Sequence, residues 1–153
     1  GGDVRRERAA EMIIDSSALV AILVGEPEAY AFQASISAAE RRIISAASYV
    51  ETAMVIDGRR NPDLSRRVDD FLANQSVSVA PFTERQARIA REAFRDYGRA
   101  SGHPARLNLG DCFAYALAKD VGEPLLYKGD DFVHTDVRSV FPRGHVEGVS
   151  PQS

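Results

Sequence analysis

Cysteine occurs once, at Cys112, which rules out an internal disulfide framework and leads us to expect a reducing, cytoplasmic setting. Long apolar runs are missing as well. The longest uncharged stretch near the start, Ser16 to Val24, follows directly on Asp15 and is too short to span a bilayer, so no membrane association or secretory signal is expected. An excess of positive charge is also lacking. A formal net charge of −3 disfavours a broad basic face for duplex nucleic acid. It leaves room for a nuclease that gathers carboxylates at one point and reverses their charge with a metal. The basic pairs Arg41-Arg42, Arg59-Arg60 and Arg66-Arg67 read as solvated surface. His103, His134 and His145 have no metal-ligand spacing and read as surface or loop positions. No glycine-rich phosphate loop follows a strand, because Val24-Gly25-Glu26-Pro27 has the wrong spacing.

What remains is an ordinary globular composition, 44% hydrophobic and 27% charged over 153 residues, enough for one domain with a real core. Residues 1–11 are set aside as an expression remnant or a disordered extension, and the Gly-, Pro- and Ser-rich residues 142–153 as a flexible tail, leaving 12–141 as the folded domain. Met12-Ile13-Ile14, Arg42 to Ser45, Val77 to Ala80 and Pro124 to Tyr127 read as short strands, and Val137 to Phe141 as a last one. Helical patterns lie between them: Ser16 to Leu23, a segment with Ala29, Phe32, Ile36 and Ala39 on one face, Ala46 to Ile56, Leu64 to Asn74, a long helix capped by Thr83 and ended by Gly98, and a helix opening near Asp111. Short, continuously apolar strands alternating with helices predict an α/β fold with a parallel sheet covered on both faces.

Ligands bind such sheets beyond the carboxyl ends of the strands. Asp15 ends the first strand, Glu51 lies in the helix after the second, Asp111 opens the helix before the fourth, and Asp130 and Asp131 follow the fourth. Each has a structural reading too. Asp15 and Asp111 suit helix N-termini, Ser48 and Glu51 match a capping box, and Asp130-Asp131 suits a turn. Glu51, however, shares a helical face with Ala47, Met54 and Val55, and a carboxylate on an apolar stripe calls for a cation. Several carboxylates at one sheet edge suit a hard divalent ion such as Mg²⁺, and hydrolysis of a phosphodiester.

Four stretches carry a resemblance: MIIDSSALVAIL at Met12 to Leu23, SAASYVETAMVI at Ser45 to Ile56, LNLGDCFAYALAK at Leu107 to Lys119, and LLYKGDDFVHTDV at Leu125 to Val137. In this order they resemble PIN-domain ribonucleases, and more closely the VapC-type toxins of VapBC toxin–antitoxin pairs. The resemblance implies a three-layer α/β/α domain with a central parallel sheet, Mg²⁺- or Mn²⁺-dependent endoribonuclease activity and a VapB-type antitoxin partner. It places the family's acids on Asp15, Glu51, Asp111 and Asp131, with Asp130 as the alternative to the last. Ser17 falls where a small hydroxyl residue supports the first acid. Asp15 and Asp111 are expected to hold the metal, and Glu51 and Asp131 to complete the acidic site and orient the attacking water. Cleavage of RNA leaving a 5′-phosphate and a 3′-hydroxyl is implied in the same way.

Two rival readings stand beside this one: a DNA nuclease on the same acidic fold, and a non-catalytic module whose acidic cleft takes a basic peptide. Cys112 reads as a small core residue rather than a nucleophile, and Tyr97 and Tyr115 as core or rim. The number of apolar residues in the first two helices predicts that Leu19, Leu23 and Phe32 form part of a partner or homodimer surface.

Overall fold

The computed structural model describes residues 11–141. The predicted extension up to residue 10, the tail from residue 142 and His145 lie outside the described residues. The chain runs β1 (Glu11–Ile14), α1 (Ser16–Val24), α2 (Ala29–Ala38), β2 (Arg41–Ser45), α3 (Ala46–Asp57), α4 (Pro62–Asn74), β3 (Val77–Ala80), α5 (Glu84–Tyr97), a short 3₁₀ turn at Arg99–Ser101, α6 (Leu109–Val121) and β4 (Leu125–Leu126).

The sheet is parallel throughout, in the order β3-β2-β1-β4. Ile13 pairs with Ile43 on one side and Leu125 on the other, so β1 is the central strand from which the chain winds in both directions. A crevice opens at such a reversal point, outside the strands' carboxyl ends. Side chains of β1 alternate between faces. Met12 and Ile14 enter a core built with α1 to α4, and Ile13 enters a second core under α5 and α6. The expected α/β/α layering follows from this alternation.

Two expectations need correction. The last strand shrinks to a single parallel bridge between Ser139 and Leu125. Its reason is local: the Ser139 hydroxyl turns back to donate to the Phe141 carbonyl and accept from the Phe141 amide, which bends the segment away from the sheet. Leu19, Leu23 and Phe32 are not a partner surface. All three are buried in the first core, where Phe32 packs on Phe141 with ring centroids 6.0 Å apart. The apolar count was high because α1 is packed on both sides, against the sheet and against α2 and α4, so it has little outer face.

Gly98 ends α5, but for a reason other than left-handed geometry. Its backbone is extended, and a Cβ there would meet the Phe94 carbonyl oxygen at 2.2 Å. The glycine permits the close approach that lets Leu107 and Arg99 bond across to the end of the helix.

Candidate active site

Asp15 is the first residue beyond β1. Its amide donates to the Leu126 carbonyl at 2.9 Å, which fixes its backbone to β4. Its side chain caps α1, with Oδ2 accepting from the Ser17 amide at 2.9 Å. Oδ1 is buried and has no hydrogen-bond partner among the described residues. Asp15 is 1% exposed. Burial pushes its carboxyl up to about 6, against the opposing pull of the Ser17 bonds, and the nearby Glu51 adds to the rise.

Glu51 reaches the site from α3. The predicted capping box does not form, because the helix begins at Ala46 and Ser45 caps it through the Ala47 amide. Nor does Glu51 lie on a buried apolar stripe. Ser48, Thr52 and Ile56 face inward, while Met54 is 69% and Val55 47% exposed. What holds Glu51 is Ser16, whose hydroxyl donates to its Oε1 at 2.8 Å. Gly110 makes the room: a Cβ built there would lie 1.9 Å from Glu51 Oε2.

Asp111 opens α6 in a reciprocal capping box. Asn108 Oδ1 accepts from the Asp111 amide at 2.8 Å, and Asp111 Oδ2 accepts from the Asn108 amide at 3.0 Å. The capping reading therefore holds, and the carboxylate also faces its acidic neighbours. Its carboxyl is pushed up to about 8, first by burial, then by the charge of Asp15 and by Asp131, whose carboxyl approaches within hydrogen-bonding reach. Asp131 thus touches the group that the sequence associated it with. Asp130 does not act on Asp111 in this way; its carbonyl accepts from the Val133 amide at 3.2 Å.

Four acids from four segments are therefore linked in pairs beyond the carboxyl end of β1: Asp15 with Glu51 and Asp111, and Asp111 with Asp131. Among the described residues, no three carboxylate, imidazole or thiolate side chains meet at a single cation-sized point. The pairwise arrangement fits a divalent ion that keeps several waters and takes only one or two carboxylates directly. The unpartnered Oδ1 of Asp15 is a buried oxygen that could serve such an ion as a ligand.

Ser17 braces the far wall. Its hydroxyl accepts from the Lys128 amide at 2.9 Å, and the Lys128 ammonium lies 2.8 Å from Glu26 and 3.4 Å from Glu28, tying the segment after β4 to the start of α2. Sequence reasoning found Ser17 but missed Ser16 and Gly110. Only the hydroxyl next to Asp15 and the glycine next to Asp111 hinted at them.

The residues set aside behave as expected. Cys112 is buried and its thiol is raised to about 11, chiefly by burial, so it is a poor nucleophile. Tyr115 is buried and donates to Asp136. His103 packs edge-on against Tyr97, and its Nδ1 accepts from the Ala105 amide. A wider cavity of about 700 Å³ opens elsewhere, with Ser35, Pro124 and Val137 in its lining, and brings no group of acids together.

Comparison with known proteins gives the family and the fold. The PIN domain family profile matches residues 12–138. The chain is 51% identical over 132 residues to "Ribonuclease VapC28" of Mycobacterium tuberculosis, covering 86% of this chain and 99% of that one. It is 49% identical over 127 residues to "Ribonuclease VapC42" of the same organism, covering 83% and 97%. Among solved structures, the fold superposes on Mycobacterium tuberculosis VapC20, described as a sarcin-ricin loop cleaving toxin, with a TM-score of 0.69 at 16% identity over 86% of this chain and 99% of that one. A toxin-antitoxin complex from Klebsiella pneumoniae matches with a TM-score of 0.62 at 19% identity, covering 82% and 92%.

Proposed function

The chain belongs to the PIN-domain family, among its VapC ribonucleases, and on that premise we propose that it is the toxin of a type II toxin–antitoxin pair, a divalent-cation-dependent endoribonuclease acting through Asp15, Glu51, Asp111 and Asp131. The observation that carries this reading is the acid crevice at the carboxyl end of β1, where Asp15 is buried with an unpartnered oxygen.

Asp15 and Asp111 are the residues that hold the ion, Mg²⁺ or Mn²⁺. Both carboxyls are raised in its absence, so both gain most from a cation beside them. The ion supplies positive charge that stabilises the developing charge on the phosphate. Glu51, oriented by Ser16 and seated on Gly110, accepts a hydrogen bond from the attacking water and aligns it. Asp131, beside Asp111 on an exposed turn, completes the acidic site and helps orient the same water. Single-stranded or loop RNA is the substrate class, since its splayed backbone can enter a recessed site. Attack by water leaves a 5′-phosphate and a 3′-hydroxyl.

The partner is a VapB-type antitoxin. Val50, Met54 and Val55 on α3 are exposed apolar residues beside Glu51 and give such a partner a surface next to the catalytic crevice. The toxin is also proposed to pair with a second copy of itself. No helix among the described residues is long and apolar enough to cross a membrane.

The deciding experiment is cleavage of a labelled RNA pool with Mg²⁺, Mn²⁺ or EDTA, beside Asp111→Asn. Metal-dependent cutting that disappears in the variant supports the reading. Cutting that persists in EDTA or in the variant overturns it. Sedimentation of the chain alone and with its antitoxin, beside Met54→Asp, tests the assemblies; an unchanged complex with Met54→Asp removes the α3 face from the interface.

A further inference from the structure

A second pocket of about 420 Å³ adjoins the acid crevice and is lined by Arg99, Pro104, Ala105, Arg106, Asp130, Asp131 and His134. Asp131 is common to both, since it also reaches Asp111. Among the described residues, neither arginine side chain in this pocket has an ion pair or a hydrogen bond, although two carboxylates share the cavity. Arg41, Arg66, Arg85, Arg88 and Arg95 are paired. Arg59, Arg60, Arg67 and Arg91 have no side-chain partner among the described residues either, but none of them lines this pocket. The segment that carries the two arginines is braced. Leu107 N donates to the Tyr97 carbonyl at 2.8 Å, Arg99 N to the Leu107 carbonyl at 3.1 Å, and the Ser101 hydroxyl to the Gly98 carbonyl at 2.7 Å. Arg106 is held at φ 54, a left-handed conformation that a side chain rarely adopts.

We propose that this pocket is a subsite for the backbone phosphate of a nucleotide next to the scissile bond, with Arg99 and Arg106 as its anion contacts and His134 on its third side. The inference rests on the ribonuclease reading and extends it. The acid crevice alone repels a polyanion, so a strand needs cationic contacts beside the crevice to lie across it. Two unpaired guanidinium groups on one braced loop, sharing a wall with the reacting site, meet that need. Planar guanidinium donors match phosphate oxygens in pairs, which a surface lysine does not do. Holding the flanking phosphate fixes the register of the strand over Asp15 and Asp111 and contributes no base-specific contact.

The test uses a short labelled single-stranded RNA that the intact protein cuts, with steady-state cleavage and binding by anisotropy over a salt series. Arg99→Ala/Arg106→Ala is expected to raise KM about tenfold, with the loss falling on KM rather than kcat. The salt dependence of binding should become shallower by about 0.7 per lost phosphate contact. Arg66→Ala/Arg67→Ala removes the same charge from α4 and is expected to leave both readouts in place. Arg106→Gly removes a guanidinium while relaxing the left-handed backbone, so weakened binding in that variant cannot be ascribed to misfolding. Wild-type cutting with KM and salt slope unchanged in both Arg99/Arg106 variants overturns the subsite and leaves the ribonuclease reading intact. No binding or cutting of RNA by the wild type under any metal overturns both.

Discussion

Asp15 is the residue at which fold and function oppose each other most. It is wanted at the end of β1 as a helix cap and as a cation donor, yet it is buried without a partner for Oδ1. Its carboxyl rises from the ordinary 3.8 to about 6, so between those values the folded chain binds a proton that the unfolded chain has released. Stability of the metal-free protein therefore falls as pH rises through this window, by up to about 3 kcal/mol at roughly 1.4 kcal/mol per pKa unit. The raised Asp111 carboxyl, at about 8, extends the decline in the same direction. Asp15→Asn should flatten the lower part of that slope and leave the EDTA-treated protein more stable than wild type near neutral pH, while abolishing cleavage. Denaturant melts at pH 4.5 and pH 7.5 check this, and equal slopes for the two proteins would refute it. Gly110 supports a second prediction at this scale. Gly110→Ala adds a methyl where the Glu51 carboxylate sits, and the flexible glutamate yields more easily than the backbone. Thermal stability should change by less than about 1 kcal/mol, since alanine's helix preference offsets the displacement. Cleavage should drop at least tenfold as Glu51 leaves Ser16. Retained cleavage would show that the Ser16–Glu51 bond does not position the reaction.

Elements carry the site through their ends, and the capping box of α6 shows how. Asn108→Ala removes the acceptor for the Asp111 amide and should cost about 1 kcal/mol, the usual value of such a cap. Because the same box orients Asp111, cleavage should fall more than stability does, which rate measurements well below the melting temperature can separate. Arg42 does comparable work away from the site. It donates to the carbonyls of Ile36, Ser37 and Gln75, closing the ends of α2 and α4. The element types, and the positions of Asp15 and Asp111 at helix starts, were legible in the sequence because they depend on local pattern: β-branched runs, caps, and acids just past strand ends. Glu51 and Asp131 were singled out with the help of the resemblance. The faces of the elements were less legible. On α3 the inward positions are Ser48 and Thr52, which look polar, while Met54 and Val55 face out. Thr52 turns its hydroxyl onto the Ser48 carbonyl and so hides its polarity from the core. Arg42 looked like one of three solvated basic pairs, and only the packing of two helix ends against it reveals its role. The arginine-lined pocket was illegible for a similar reason, because the conformation of Arg106 and the Gly98–Leu107 bridge are tertiary facts.

The whole molecule is an acidic chain, with 22 carboxylate side chains against 19 cationic ones, and it concentrates four of those acids at the reversal point of its sheet. Two cores, one on each face of β1, hold the crevice walls rigid: α1 and α3 on one side, α6 on the other. Rigidity prevents the acids from relieving their repulsion by moving apart, so the relief must come from protons or from a cation. Near neutral pH a proton on Asp111 relieves part of the repulsion while Asp15 is largely ionised and buried, so a divalent ion bound at the crevice should stabilise the entire fold. At an ion concentration about 100 times the dissociation constant, the gain is about 2.7 kcal/mol. For a chain of this size that raises the melting temperature by roughly 5–10 °C. Calorimetry in EDTA, Mg²⁺ and Mn²⁺ should show this rise in the wild type, and little of it in Asp15→Asn/Asp111→Asn. The double variant should also melt above the wild type in EDTA, because the neutral amides no longer repel. Identical melting with and without the ions, in a protein that still cleaves RNA, would mean that the carboxylates act without a resident cation and would overturn the metal-dependent part of the mechanism.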